Sequence, residues 1–91
     1  MNIDIDTWTG LTVSQVLTQC GTAFEEVMLV DEPPGKLRAL EFVCRQAAPP
    51  RKVRLEIAYD TSLFSATRDW ARALVLERTV TRVVDNGATP P

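Results

Sequence analysis

The chain has 91 residues, 45% of them hydrophobic and 24% charged, a composition typical of one globular domain. Ten Lys and Arg residues are outnumbered by twelve Asp and Glu residues, and the two signs are interspersed along the chain. This balance excludes the basic face of a nucleic-acid-binding protein, and no apolar run approaches the roughly 20 residues of a transmembrane helix. With no signal-peptide pattern either, we predict a cytoplasmic protein that binds neither nucleic acid nor membrane.

The cysteine content argues against a disulfide scaffold and a zinc site. Cys20 and Cys44 are the two cysteines, they are far apart in the sequence, and the chain has no histidine to complete a set of zinc ligands. We therefore expect two buried, reduced thiols, and neither a metal ion nor a cofactor.

The N-terminal segment 2–10 begins with alternating apolar and acidic side chains. Ile3 and Ile5 alternate with Asp4 and Asp6, and a period of two is typical of a strand. The segment is predicted to be a short edge strand, with an untethered lead-in as the alternative.

The clearest helix signal lies over residues 12–20. Thr12 and Gln15 have the spacing of a capping box, in which each side chain binds the backbone N–H of the other residue. Gly21 then supplies a left-handed stop. Because a helix this short is marginal in water, its apolar face must be held by a sheet.

Three strand candidates follow, over residues 24–31, 37–45 and 52–60. Two prolines and Gly35 separate the first pair, and a second proline pair separates the next. The last two candidates each alternate between an apolar and a polar face, so we predict an antiparallel hairpin.

Charge sets the expected register of this hairpin. Glu41 opposite Arg54 is attractive, whereas Glu41 opposite Glu56 would place like charges together. We predict the Glu41–Arg54 register.

The C-terminal part completes the predicted fold. A short helix is expected over 68–76 and a last strand over 79–84, with a loose tail at 86–91. The fold class is therefore α+β: one domain over 1–85, with an antiparallel sheet of about four strands packed by the two helices.

No residue cluster in the sequence has the spacing of a catalytic site. Gly35 and Lys36 lack the earlier glycine and the following Ser or Thr of a phosphate-binding loop. Glu41 and Glu56 are expected to be solvated or ion-paired on the polar face of the sheet. We predict no catalytic residue.

The best candidate for a contact surface is the segment 64–70, in which two aromatic residues flank a polar loop. The alternative interpretation is a loop tacked down by those aromatic side chains. Together with the turn before the second strand candidate, this segment gives the candidate binding residues Glu32, Lys36, Phe64, Arg68, Asp69 and Trp70.

Two classes of function fit these patterns. The first is a non-enzymatic binding or protein-interaction module, whose partner is another protein or a second copy of the chain in a homodimer. The second is a small-ligand-binding protein or small enzyme, with Glu32, Arg68 and Asp69 in a pocket between sheet and helix.

Overall fold

The computed structural model describes residues 5–88. Its elements are 3₁₀ turns at Ile5–Trp8, Phe24–Glu26 and Thr61–Leu63, helices α1 (Val13–Cys20) and α2 (Arg72–Leu76), and strands β1 (Met28–Val30), β2 (Ala39–Cys44), β3 (Arg51–Ile57) and β4 (Val80–Ala88). The strands form one antiparallel sheet in the order β1-β2-β3-β4. The predicted α+β class, with a four-stranded antiparallel sheet and two helices, is confirmed.

Helix α1 begins and ends where the sequence predicts. The Gln15 backbone N–H donates to Thr12 Oγ1 (3.2 Å) and the Thr12 backbone N–H donates to Gln15 Oε1 (2.9 Å), which completes the capping box. Gly21 ends the helix in the left-handed region, with φ +64°. The helix buries four side chains in the core: Val13, Val16, Leu17 and Cys20.

Strands β2 and β3 form the predicted hairpin in the predicted register. Glu41 lies opposite Arg54, and Arg54 Nη1 lies 3.3 Å from Glu41 Oε2. The two strands overlap the predicted ranges 37–45 and 52–60 but are shorter. A register shift at Ile57 coincides with the end of β3.

The prediction of an N-terminal strand is wrong over the described residues. Ile5–Trp8 is a 3₁₀ turn, and residues 2–4 lie outside the described range. Trp8 is fully buried, and its indole N–H donates to Gln19 Oε1 at 3.1 Å. Burial of this indole outweighs the short alternating pattern that precedes it.

The first sheet strand is shorter than the predicted 24–31. The turn at Phe24–Glu26 precedes β1, and the Glu26 carboxylate accepts the backbone N–H of Ala23 at 3.3 Å. This local hydrogen bond gives the backbone N–H a partner outside the sheet. The chain therefore does not enter the strand until after residue 27.

The second helix is also shorter than its predicted range 68–76. Arg68 has a positive φ of 60°, which a continuous right-handed helix cannot contain. The helix therefore begins only at Arg72 and ends at Leu76.

Strand β4 continues beyond the predicted 79–84. It runs to Ala88, so the first three residues of the predicted 86–91 tail belong to the sheet, and the last three lie outside the described residues. Arg51 Nη2 pairs with Asp85 Oδ2 at 2.7 Å, an ion pair that ties the two strands together at this end.

None of the helices within residues 5–88 has both the length and the apolar character to span a membrane. Helix α1 has only eight residues.

The prediction of two reduced thiols is wrong, because Cys20 and Cys44 form a disulfide. Both are buried, and their Cα atoms lie 4.7 Å apart, within the range that a disulfide spans. Two hydrogen bonds hold the end of α1 against the end of β2: Gln46 N donates to Cys20 O (3.2 Å), and Thr22 Oγ1 donates to Val43 O (2.9 Å). Folding thus joins cysteines that are 24 residues apart in sequence.

Replacing both Cys20 and Cys44 by Ala should lower the free energy of unfolding by about 3 kcal/mol, because the unfolded chain regains the freedom of a loop of this length. Urea denaturation followed by tryptophan fluorescence measures the difference. Oxidised and reduced samples of the unchanged protein provide the control. Two titratable thiols in the unreduced, unfolded chain would show that the bond does not form.

Candidate functional site

The predicted binding residues come from two loops that the fold brings together, here named loop A (31–36) and loop B (63–70). Lys36 and Phe64 form an isolated antiparallel bridge. Backbone hydrogen bonds of 3.2 and 2.8 Å flank this pair. The two loops therefore form one continuous surface, which we call the loop platform.

An ion pair between Asp31 and Arg68 ties loop A to loop B. Arg68 Nε donates to Asp31 Oδ2 at 2.6 Å, and Arg68 Nη2 donates to Oδ1 at 2.7 Å. The backbone N–H of Gly35 also donates to Oδ2, at 3.0 Å. The Asp31 side chain is only 8% exposed, whereas that of Arg68 is 62% exposed. One carboxylate thus satisfies three donors drawn from both loops.

These hydrogen bonds fix the charge of both groups. The Arg68 guanidinium, followed by the Gly35 N–H, lowers the pKa of Asp31 to about 2, and Asp31 in turn raises the pKa of Arg68. Both groups therefore stay charged across the physiological pH range. The hydrogen bonds and the stable opposite charges suit this pair to anchoring the two loops.

Gly35 allows the two loops to approach each other closely. Its φ is +87°, and a Cβ atom there would lie 2.9 Å from the carbonyl oxygen of Ser65 and 3.1 Å from the Phe64 ring. The phenyl ring of Phe64 lies against this glycine and is 52% exposed. The close contact holds the ring at the surface of the platform.

Trp70 fixes loop B from the inside. Its indole N–H donates to the carbonyl oxygen of Leu63 at 2.6 Å, and Leu63 is fully buried. The interpretation of a tacked-down loop thus describes Trp70, which is half-buried, while Phe64 remains exposed.

Glu32 and Asp69 lie on the same loops but make little contact. Both are exposed, and within residues 5–88 neither carboxylate has a hydrogen-bonding partner. The Asp69 backbone N–H donates to Ser65 Oγ at 3.0 Å. The structure therefore does not assemble Glu32, Arg68 and Asp69 into a pocket.

Sequence reasoning missed Asp31, Arg38 and Tyr59. None of these three residues is among the binding residues predicted from the sequence. Lys36 Nζ and Arg38 Cζ lie 5.8 and 5.6 Å from the centroid of the Tyr59 ring. The placement of Lys36 and Arg38 on either side of the apolar Leu37 was a usable signal, since alternate residues of an extended segment share a side.

Two open grooves on the described residues have charged side chains in their walls. The helix groove, of about 310 Å³, lies between the two helices, and Arg72 at its wall has its guanidinium 5.6 Å from the Phe24 ring centroid. The Tyr59 groove, of about 280 Å³, is lined by Arg38, Arg54, Glu56, Ile57, Tyr59 and Thr81.

Neither a metal-binding cluster nor a similar protein indicates what this surface binds. Across residues 5–88, no three His, Cys, Asp or Glu side chains are grouped so as to hold a metal ion. No protein-family model, no curated protein and no solved structure matches this chain. Inference about function therefore depends on the geometry.

Replacing Asp31 by Asn should destabilise the protein at neutral pH, with a loss that shrinks in acid. The pKa of Asp31 is about 2 in the folded state, below its ordinary value of 3.8, so the pair stabilises the fold fully above about pH 5 and is lost as the pH falls towards 2. Urea denaturation of both proteins between these pH values measures the difference. Other carboxylates whose pKa is lowered, Asp60 and Asp85, are present in both proteins.

The control for this measurement is Asp69→Asn, because that carboxylate is exposed and has no partner in the described part of the chain. It should leave the free energy of unfolding nearly unchanged at neutral pH. A difference between the unchanged protein and the Asp31→Asn variant that is the same at every pH would contradict the ion-pair assignment.

Replacing Gly35 by Ala should destabilise the protein more than replacing Gly10 by Ala. Both glycines have positive φ, +87° and +94°, so both variants incur backbone strain of about 1–2 kcal/mol. Only at Gly35 does the new methyl group meet other atoms, which should add about 1–3 kcal/mol. Thermal denaturation compares the two variants, and equal losses would show that the loops are not in close contact.

Proposed function

We propose that this protein is a non-enzymatic binding module that contacts another protein through the loop platform. The observation that carries the proposal is the half-exposed Phe64 ring on a rigid support. Aromatic side chains that are already held in place are typical anchors of protein interfaces, because little conformational freedom is lost when a partner covers them.

Three contacts make the support rigid. The Asp31–Arg68 pair joins the two loops, the bridge between Lys36 and Phe64 aligns their backbones, and Trp70 bonds to the loop B backbone. The first two contacts join segments that are distant in sequence, and the third fixes loop B onto the core. The exposed ring is therefore presented in one orientation.

The open face of the sheet supports a partner surface less well. The apolar residues on this face favour contact with a second copy of the chain when only the sequence is considered. In the structure, however, Ala39 is fully buried. Arg54 lies between two carboxylates, 3.3 Å from Glu41 and 3.5 Å from Glu56. Charged groups that already neutralise one another offer little attraction to a second copy of the chain.

The small-ligand alternative has one observation in its favour, the helix groove with Arg72 at its wall. Arg72 lies over the ring of Phe24, and its guanidinium is 2.8 Å from a carboxylate oxygen of Glu25. No other charged residue lines this groove. Its hydroxyl residues are Ser14, Thr18 and Thr22, and two of them, Thr18 and Thr22, already donate to backbone carbonyl oxygens. Because Arg72 is also engaged, by Glu25, we favour the loop platform.

A cytoplasmic location remains a prediction from the sequence. The disulfide argues against it, because disulfides persist mainly in oxidising compartments. Counting free thiols in the protein isolated from its native host decides the question.

Replacing Phe64 by Ala should weaken partner binding and leave the fold intact, because the ring is exposed in the free protein. Loss of such an anchor weakens binding by about 2 kcal/mol, roughly thirtyfold. Affinity capture from the native host, with quantitative mass spectrometry, measures the recovery of each partner. Met28→Ala is the matched control, since Met28 is also a large exposed apolar side chain, 64% exposed, but lies in β1.

Sedimentation equilibrium distinguishes a second copy from a different protein. If the partner is a second copy, the unchanged protein forms a species of twice the 10.1 kDa chain mass, and Phe64→Ala restores the monomer. Capture and association that are unaffected by Phe64→Ala, or equally affected by Met28→Ala, would refute the proposed surface.

A further inference from the structure

Some of the Lys and Arg side chains in this protein form ion pairs with carboxylates, and others do not. All ten Lys and Arg residues fall within residues 5–88, and seven of them form ion pairs with Asp or Glu. In that range Lys36, Arg38 and Lys52 have no carboxylate partner. Two of these three cations, Lys36 and Arg38, lie over the same ring, that of Tyr59.

The backbone explains why Lys36 and Arg38 meet at one ring. Leu37 between them is fully buried, so the two cations project from the opposite side of the chain. The Arg38 backbone N–H donates to Val30 O at 3.1 Å, which holds the segment extended. Alternate residues of an extended chain are about 7 Å apart, and this spacing separates the two side chains at their bases.

The acidic groups on the strand side of this site, Glu56 and Asp60, are occupied by other partners. Asp60 follows Tyr59 but is bound by Arg78 Nη1 at 2.6 Å. Glu56, in the wall of the Tyr59 groove, is 3.5 Å from Arg54. Neither of these two carboxylates therefore neutralises Lys36 and Arg38, whose positive field extends into the solvent.

Phe64 lies beside this positive site. It is the bridge partner of Lys36, in a pairing whose flanking hydrogen bonds are made by the neighbouring residues. Directly opposite residues of such a pair point to the same side, with Cβ atoms about 4.5–5.5 Å apart. An exposed apolar ring and two uncompensated cations are thus contiguous.

We infer that the site formed by Lys36, Arg38 and Tyr59 binds an extended acidic segment of the partner protein, with carboxylates at alternate positions and an apolar neighbour over Phe64. On an extended peptide, residues two apart have the same backbone spacing as Lys36 and Arg38, so their carboxylates can each face one of the two cations. This inference rests on the proposed function and adds the chemistry of the partner.

The geometry favours a peptide over a nucleic acid. Cations lie over the Tyr59 ring, which leaves it a poor surface for stacking a base. A nucleic-acid strand binds through several phosphate contacts along its backbone, whereas this site offers two cations. A short acidic segment needs only the local pair of cations.

The experiment is an NMR titration of the unchanged protein with blocked pentapeptides of alanine and glutamate. One peptide carries glutamates at positions two and four, a second carries them at positions two and three, and a third has glutamine in their place. The alternating peptide should shift the resonances of Lys36, Arg38 and Tyr59 saturably, and bind about fivefold tighter than the adjacent one. The glutamine peptide should not bind.

Substitution separates this site from general charge attraction. Arg38→Gln and Lys36→Gln should each weaken binding of the alternating peptide about fivefold. Lys52→Gln is the matched control, since Lys52 is also exposed and without a carboxylate partner within residues 5–88, and it should have no effect. Thermal denaturation of each variant verifies that the fold is retained.

Three outcomes would overturn the inference. They are an equal effect of Lys52→Gln, equal binding of all three peptides, and tighter binding of a thymidine hexanucleotide at the same ionic strength. If any of them occurs while capture still depends on Phe64, the inference of an acidic partner segment is refuted, but the proposed function as a binding module is not. Loss of the Phe64 dependence refutes the module itself.

Discussion

The ion pair between Asp31 and Arg68 determines the shape of the surface that this protein presents. It spans 37 residues of sequence and joins two loops that are otherwise connected by a single backbone bridge. Because Arg68 is largely exposed, solvent screens the attraction and limits its contribution to stability. Its main effect is geometric. With both loops fixed, Phe64 stays at the surface and Lys36 stays beside it.

Features that depend on local chemistry could be predicted from the sequence. The capping box at Thr12 and the register that pairs Glu41 with Arg54 each involve residues in one helical turn or one hairpin. The disulfide and the pairing of Asp31 with Arg68 join residues separated by 24 and 37 positions. No local pattern encodes such distances, because they follow from how the elements pack together.

The candidate site was partly accessible to the same reasoning. Phe64 and Lys36 were recognised from composition and turn chemistry, and the fold places them side by side. Arg68 was also named, but as a contact residue, whereas its partner Asp31 makes it an anchor. Arg38 and Tyr59 are not among the predicted binding residues. Only the three-dimensional arrangement shows that Lys36 and Arg38 both lie over the Tyr59 ring.

Net charge is a poor guide to what a small domain of this kind binds. The chain is acidic overall, yet Arg54 on the sheet face is paired with carboxylates and two cations near Tyr59 are not. At physiological ionic strength charges interact over about 8 Å, so an approaching segment senses the local site and not the sum over the chain. An acidic protein can therefore select an acidic partner through a local group of unpaired cations.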